Sequence, residues 1–342
     1  MIWQTWRQHR AEAAVGAVVL IGMVAAMLVV GTVARDRARQ AGVRGCSTGD
    51  GCANALEALH RDFHSIPPFI AALVAIPLLA GMFWAAPLVS REYEAGTHRL
   101  AWSQSVSPLR WITTKLVLIF SVLALAALAL GLLTVWTLQP LVAAFGGRYN
   151  SAWYDTQGIV PAACMVFALS VGVAASALVR RTIPAMAITL IAYAAARIPV
   201  HFVRVNFAPL RARTFTAPMS DLLTDPLGTP TEHIVGALGG GDLMKGTVVT
   251  DSLGHAIPSD ATNLAVLQQY YCPDLPSRGR IPAASLSTCQ QRLHGVSVHE
   301  TVRYQPASHF WWVQATEAAI FLALAAALVA VAVIAVTRRR TA

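Results

Sequence analysis

Charged side chains are scarce in this sequence of 342 residues, in which Asp, Glu, Lys and Arg together make up 13%. Soluble globular domains carry about 25% charged residues, so this chain has about half of the usual share. Hydrophobic residues reach 56%, and the mean hydropathy is +0.54. This composition argues against a water-soluble enzyme, a disordered chain and a small secreted disulfide-rich protein, and it indicates an integral membrane protein.

Motifs for catalysis and for nucleotide binding are also missing. The sequence has no Gly-x-Ser-x-Gly, no His-Glu-x-x-His and no acidic cluster within a hydrophobic run. Its glycine-rich segment 239–247 lacks the spacing of a phosphate-binding loop, and glycine follows its lysine where Ser or Thr is required. We therefore predict a chain that is not an enzyme, has no metal or cofactor of its own, and binds no nucleic acid.

Long hydrophobic runs predict the architecture. A helix needs about 20 apolar residues to cross the hydrocarbon core of a bilayer. Five runs have this length, and a sixth is interrupted by Arg197; in chain order the six are 13–34, 66–89, 116–138, 158–179, 183–202 and 318–337. Six spans with both termini in the cytoplasm place the cluster Arg338–Arg340 inside, as the positive-inside rule requires, whereas five spans would place it outside.

The sequence thus predicts an all-α polytopic membrane protein with cytoplasmic N and C termini. Residues 1–203 contain helices one to five, with an N-terminal interfacial helix at 1–14 and a cytoplasmic loop at 90–115. Residues 204–308 are rich in Gly, Pro, Asp and Thr, and we expect a small mixed α/β extracellular domain with a hairpin around 252–254. Residues 309–342 form helix six and a basic cytoplasmic tail.

Four cysteines fall in loops that we expect to lie outside the cell: Cys46 and Cys52 in the first outer loop, Cys272 and Cys289 in the last. An oxidising exterior favours disulfides. Of the three possible connectivities, pairing within each loop is favoured. The alternative for the first pair is a zinc site with His60 and His64, but the linker lengths fit that pattern poorly.

Two charged residues lie near the outer ends of spans five and six. Arg197 is 16 residues beyond Arg181, which is about 24 Å along a helix. Glu317 is 21 residues before Arg338, which is about 31 Å. Because an arginine side chain can extend toward the interface, we predict an ion pair between Arg197 and Glu317. Two roles remain open for it, a structural tie between the spans or a gate at the outer mouth.

The cytoplasmic loop after span two is more varied than a simple turn requires. Residues 91–111 combine acids, bases, a glycine and a short amphipathic segment, which is the composition of a docking surface. A solvated turn is the alternative interpretation.

This loop resembles the one that follows the second span in permease subunits of ABC-2 type ATP-binding cassette exporters. In that class, Glu-x-Glu-x-Gly-Thr precedes a short helix, a proline, a basic residue and a lysine at the start of the next span. The matching residues here are Glu92, Glu94, Gly96, Thr97, Pro108, Arg110 and Lys115. The segment from Gln305 to Glu317 is similar to a branch of actinobacterial permeases.

The resemblance implies an exporter subunit in a bacterial plasma membrane that pairs with a second copy of itself. Two separate ATPase subunits would bind ATP and Mg and receive the coupling loop, whose candidate residues are Arg91, Glu92, Glu94, Gly96, Thr97, Arg99, Pro108 and Arg110. The implied path runs between the two copies, along spans two and five. It would carry a hydrophobic or amphipathic compound, such as a drug, an antibiotic or a lipid, out of the cell. The alternative is a membrane-anchored sensor or scaffold whose extracellular domain binds a ligand.

Overall fold

The computed structural model describes residues 2–43, 50–96, 108–224, 227, 241–258, 261–276 and 281–338, and leaves aside the side chains of residues 2–13, 50, 108, 111, 115 and 338. Within these ranges six helical segments are long and apolar enough to cross a membrane: Ala14–Gln40, Ile66–Glu94, Ile112–Leu138, Val160–Val179, Thr182–Asn206 and Ala307–Thr337. The prediction of six spans is confirmed. The two sides of the membrane are named cytoplasmic and outer according to the orientation that the sequence predicts.

The α-helices of the described chain are numbered in order. They are α1 (Ile2–Gln40), α2 (Asp50–Phe63), α3 (Ile66–Ala72), α4 (Ile76–Ala80), α5 (Ala86–Glu94), α6 (Pro108–Leu138), α7 (Val160–Val179), α8 (Thr182–Val203), α9 (Asn263–Tyr270), α10 (Ala283–Arg292) and α11 (Phe310–Arg338). Span one belongs to α1, span two to α3–α5, span three to α6, span four to α7, span five to α8 and span six to α11. Two compact units result, Met1–Phe207 with Phe310–Ala342, and Ala208–His309.

Span two is broken into short helical pieces. A 3-10 turn at Leu73–Ala75 separates α3 from α4, and a π-helical turn at Gly81–Ala85 separates α4 from α5. Pro77 and Pro87 each stand in the first turn of the α-helix that follows an interruption. Proline is tolerated there because the first backbone N–H groups of a helix have no partner within that helix.

Span four lies at the centre of the membrane unit and is the most buried of the six described spans. Its small residues allow span two to approach closely. A Cβ atom added to Gly172 would lie 2.5 Å from the carbonyl oxygen of Gly81, and one added to Gly81 would lie 2.6 Å from that of Ala168. The hydroxyl group of Ser176 donates a hydrogen bond to the Ala86 carbonyl, so this stripe serves packing within one chain.

The unit Ala208–His309 contains a four-stranded antiparallel sheet in the order β1-β4-β2-β3. Its strands are β1 (Arg211–Pro218), β2 (Leu243–Asp251), β3 (Ala256–Ile257) and β4 (Ser297–Gln305). Gly254, at φ +87°, lies in the turn between β2 and β3, where the sequence predicts a hairpin. A disulfide joins Cys272 to Cys289 of α10 within the hydrophobic core of this unit.

Candidate functional site

Buried ionic side chains meet at the outer ends of the spans. Arg197 of span five contacts Glu317 of span six, and its Nη2 atom lies 2.6 Å from Oδ1 of Asp155. Nη1 of Arg204 lies 2.7 Å from the same Asp155 oxygen, and Nη2 of Arg204 donates to Oδ2 at 3.2 Å. These four residues, with His201 beside them, form the outer ion cluster, which ties the loop between spans three and four to spans five and six.

The outer ion cluster is both buried and balanced in charge. The side chains of Asp155, Arg197 and Arg204 are at most 10% exposed, and that of Glu317 is fully buried. Two guanidinium groups face two carboxyl groups, so the formal charge is zero when His201 is neutral. Burying a charge is costly unless it is paired. The cluster meets this requirement through its mutual contacts.

Asp155 is the hub of the cluster. Burial alone raises the pKa of its carboxyl group, but the guanidinium groups of Arg197 and Arg204 outweigh burial and hold that pKa below its ordinary value. The carboxyl group is therefore ionised and acts as the counter-ion of both arginines. Nδ1 of His201 lies 3.4 Å from Oδ2 of Asp155 and completes the contacts on the outer side.

The contact between Arg197 and Glu317 is the one predicted from the positions of the two residues along their helices. Asp155 and Arg204 were missed. Asp155 is the one acidic residue in the sequence between spans three and four. A single acid in a loop of a charge-poor protein is the sequence feature that could have indicated an ion pair there. Arg204 lies just beyond the C-terminal end of α8, whereas the sequence predicts it at the start of the extracellular segment 204–308.

Aromatic and amide groups support the cluster. The guanidinium carbon of Arg204 lies 4.4 Å from the ring centroid of Tyr154, a cation–π distance. Oε1 of Gln314 in span six accepts hydrogen bonds of 3.1 Å from the backbone N–H groups of Ile159 and Val160. These N–H groups open span four and have no partner within its helix. Gln314 of span six therefore caps the start of span four, and it lies about one helical turn before Glu317.

A cavity of about 890 Å³ lies within the membrane unit and reaches this cluster. Apolar side chains of spans one, two and three form most of its wall. On α6 the lining residues run from Leu118 to Thr134, about 24 Å along the helix. At the outer end the lining becomes polar, with Asp155, Thr156 and Arg197. The cavity thus has a long apolar body and one polar end.

A second set of polar contacts joins spans two and five at the cytoplasmic side. Glu94 ends α5, and its Oε1 and Oε2 atoms accept hydrogen bonds of 2.9 Å from the backbone N–H and the hydroxyl group of Thr182. The hydroxyl groups of Ser90 and Thr182 lie 2.8 Å apart. Ser90, Glu94 and Thr182 form the cytoplasmic clasp. Its carboxylate caps the N-terminus of span five, where a negative group is favourable.

The first part of the predicted coupling loop lies close to this clasp. Gly96 adopts φ +67°, a left-handed conformation that suits glycine. The carboxylate of Glu94 is engaged by Thr182 within the chain, and its contact with an ATPase remains a prediction, as do those of Arg91, Glu92 and Arg110. Thr97 and Arg99 lie outside the described residues, and Pro108 is described only through its backbone.

Cys52 is disulfide-bonded, while Cys46, its predicted partner, lies outside the described residues. His60 and His64 point to other partners: their Nδ1 atoms lie 3.2 Å from the carbonyl oxygen of Ala144 and 2.8 Å from that of Arg61. Within the described ranges, no group of three or more His, Cys, Asp or Glu residues is arranged to hold a metal ion.

Comparison with known proteins gives one match. A family model described as ABC-2 membrane transporter related matches residues 17–204, which is more than half of the chain and covers all but a few end residues of spans one to five. No curated protein and no solved structure matches the sequence.

Proposed function

We propose that this chain, which belongs to the ABC-2 membrane transporter related family, is the permease subunit of an exporter in a bacterial plasma membrane. It moves a hydrophobic or amphipathic compound out of the cell, and a separate subunit hydrolyses the ATP. The family match over five of the six spans is the observation that carries this proposal. A complete exporter then contains two permease chains and two ATPase subunits with ATP and Mg.

The cytoplasmic clasp supports a coupling role for the loop after span two. This loop contains Glu94, which hydrogen-bonds the first residue of span five. A partner that displaces the loop therefore acts directly on the start of span five. Glu94 is exposed, so an ATPase has access to it. Hydrogen bonds at an exposed site contribute little net free energy because water can replace them, and the clasp is suited to opening and closing.

The outer ion cluster supports a bracing role. Arg197 contacts carboxylates from two other parts of the membrane unit at once, and its side chain is only 10% exposed. Opening such a cluster leaves buried charges without partners. Of the two roles left open by the sequence, the structural tie accords better with this geometry than a gate that opens in every transport cycle.

Affinity purification tests the proposed function. The tagged chain is isolated from its native membranes in mild detergent, and co-purifying proteins are identified by mass spectrometry. We expect an ATPase with its own phosphate-binding loop. The variant Glu94→Ala, Gly96→Pro should lose this partner while its elution profile and thermal unfolding stay close to those of the wild type.

A matched control makes the same kinds of change on the outer side. Asp36→Ala, Gly42→Pro removes an exposed carboxylate and a glycine at φ +69° near the end of α1, and it should retain the ATPase. Absence of any ATPase from the wild type, under conditions that preserve a known ABC complex, would contradict the permease proposal and favour the membrane-anchored sensor. Equal loss from both variants would contradict the coupling role of the loop.

A further inference from the structure

The intramembrane cavity has a wall that is polar at one end and apolar along the rest of its length. Its apolar part follows span three from Leu118 to Leu130, and its polar part consists of Asp155, Thr156 and Arg197 with Thr134 and Tyr193 close by. A large apolar pocket with a few convergent polar groups is the usual form of a small-molecule site. Such a division suits an elongated molecule with an apolar chain and one polar head.

The cavity is accessible from the side of the helices. Val15 and Val19 of span one and Val122 of span three line it, and each of these side chains is more than half exposed. They lie in segments that cross the hydrocarbon core. A ligand can therefore enter laterally from the bilayer, with its chain leading.

The charge balance at the polar end limits what the head can be. Arg197 and Asp155 both line the cavity, and they are paired with each other at 2.6 Å. Behind them, Arg204 and Glu317 balance the remaining charges of the outer ion cluster. A head with a net charge would leave one charge unpaired at membrane depth, which is strongly unfavourable. A neutral or zwitterionic head adds no unpaired charge.

The polar end also offers both kinds of hydrogen-bonding partner. Asp155 can accept, and Arg197 can donate. The hydroxyl group of Thr156 donates to the Trp153 carbonyl at 2.8 Å, which leaves its oxygen available as an acceptor. A head such as a hydroxyl, an amide or a sugar can donate to one of these groups and accept from another.

We propose that this cavity, within a single copy of the chain, binds the exported compound, an amphiphile with a long apolar chain and a polar head of zero net charge. The polar head of this compound lies against Asp155, Thr156 and Arg197, and its apolar tail extends along spans one to three. That the bound compound is exported rests on the proposed function, whereas the binding of an amphiphile in this cavity does not. This location differs from a path along the interface between two copies.

Photo-crosslinking of the purified chain in phosphatidylcholine nanodiscs tests the site. The probes are diazirine-bearing hexadecanol, palmitic acid and hexadecylamine, which have alkyl tails of the same length and differ in the charge of the head group. Hexadecanol should label the cavity wall between Leu118 and Thr134, and should exceed the two charged probes by about tenfold. Equal labelling by all three probes, or labelling only outside the cavity, would overturn the proposal.

Two variants of α6 show whether the cavity itself is the site. Ala126 lines the cavity, whereas Ala129 is exposed and outside the lining. Ala126→Phe should abolish hexadecanol labelling, and Ala129→Phe should leave it unchanged. Loss of labelling in neither variant, or in both, would count against this site.

A variant of the polar end tests the charge argument. Asp155→Asn removes one negative charge and should shift the preference toward palmitic acid. An unchanged preference in a variant that still labels the cavity would contradict the role given to the charge balance.

The same probes separate exported cargo from a resident lipid. In proteoliposomes that contain the chain and the ATPase recovered with it, ATP should reduce hexadecanol labelling. Undiminished labelling would identify a permanently bound lipid and overturn the assignment as cargo. Failure to recover an ATPase would contradict the proposed function, whereas crosslinking of the chain alone would still decide whether the cavity binds a neutral amphiphile.

Discussion

Span five is held by different kinds of contact at its two ends. At the outer end, Arg197 forms ion pairs with the buried carboxylates of Asp155 and Glu317. At the cytoplasmic end, the exposed carboxylate of Glu94 accepts two hydrogen bonds from Thr182. The outer contacts are shielded from water, while the cytoplasmic contacts can be replaced by water or by a partner protein. One helix therefore has a braced end and a releasable end.

This difference fits the work expected of a permease subunit. A partner that hydrolyses ATP must be able to move the end of a span that it contacts, and it needs a fixed point against which that span can tilt. Small exposed hydrogen-bonded contacts leave the cytoplasmic end movable, because water can replace them at little cost in free energy. A balanced buried ion cluster provides the fixed point, because breaking it by removing one partner costs several kcal/mol.

The largest effect is expected at the braced end. Arg197→Gln removes the guanidinium group shared by Asp155 and Glu317, and it leaves the fully buried Glu317 carboxyl without its counter-ion. We expect a loss of about 3–5 kcal/mol in the free energy of unfolding, measured by denaturant titration in detergent.

A double-mutant cycle sharpens this prediction. Arg197→Gln, Glu317→Gln removes both charges, while Asp155 keeps Arg204 as its partner at 2.7 Å. The double variant should therefore be no less stable than Arg197→Gln alone. Additive losses from the two single changes would show that the residues do not act as a pair and would remove the brace from the account.

The smaller effect is expected at the releasable end. Thr182→Val removes the hydroxyl group that donates to Oε2 of Glu94, while the backbone N–H of residue 182 still donates to Oε1. We expect a loss of about 1–2 kcal/mol in the free energy of unfolding, because the hydroxyl group also contacts the buried Ser90 hydroxyl at 2.8 Å and each hydrogen bond contributes about 1 kcal/mol. The same denaturant titration measures it.

Thr316→Val is a matched control for this substitution. Thr316 is half-buried, as Thr182 is, and its hydroxyl group donates to the Trp312 carbonyl of its own helix, so the change should stay within about 0.5 kcal/mol. If Thr182→Val were as damaging as Arg197→Gln, the contrast between the two ends of span five would be lost.

Simple physical rules made part of this arrangement predictable. The six spans follow from the length of the hydrophobic runs, because backbone groups in the hydrocarbon core must be satisfied within a helix. The contact between Arg197 and Glu317 follows from helical rise, which gives the depth of each residue.

The remaining features depend on packing that the sequence does not reveal. Asp155 reaches Arg197 because the loop between spans three and four folds onto the membrane unit, which burial of Leu141 and Trp153 stabilises. Thr182 reaches Glu94 because small residues of span four bring span two close. The cavity depends on how α1 and α6 leave space beside the broken helix of span two. Each is a tertiary contact without a local sequence signal.

Hydrogen–deuterium exchange of the purified chain tests most directly whether the two ends act independently. Backbone amides at 182–186 in span five and 315–319 in span six are followed in the wild type and in Glu94→Ala. Loss of the cap should speed exchange at 182–186 and leave 315–319 unchanged, because the outer ion cluster stays closed. Faster exchange at both places, or at neither, would contradict a releasable cytoplasmic end held against a fixed outer brace.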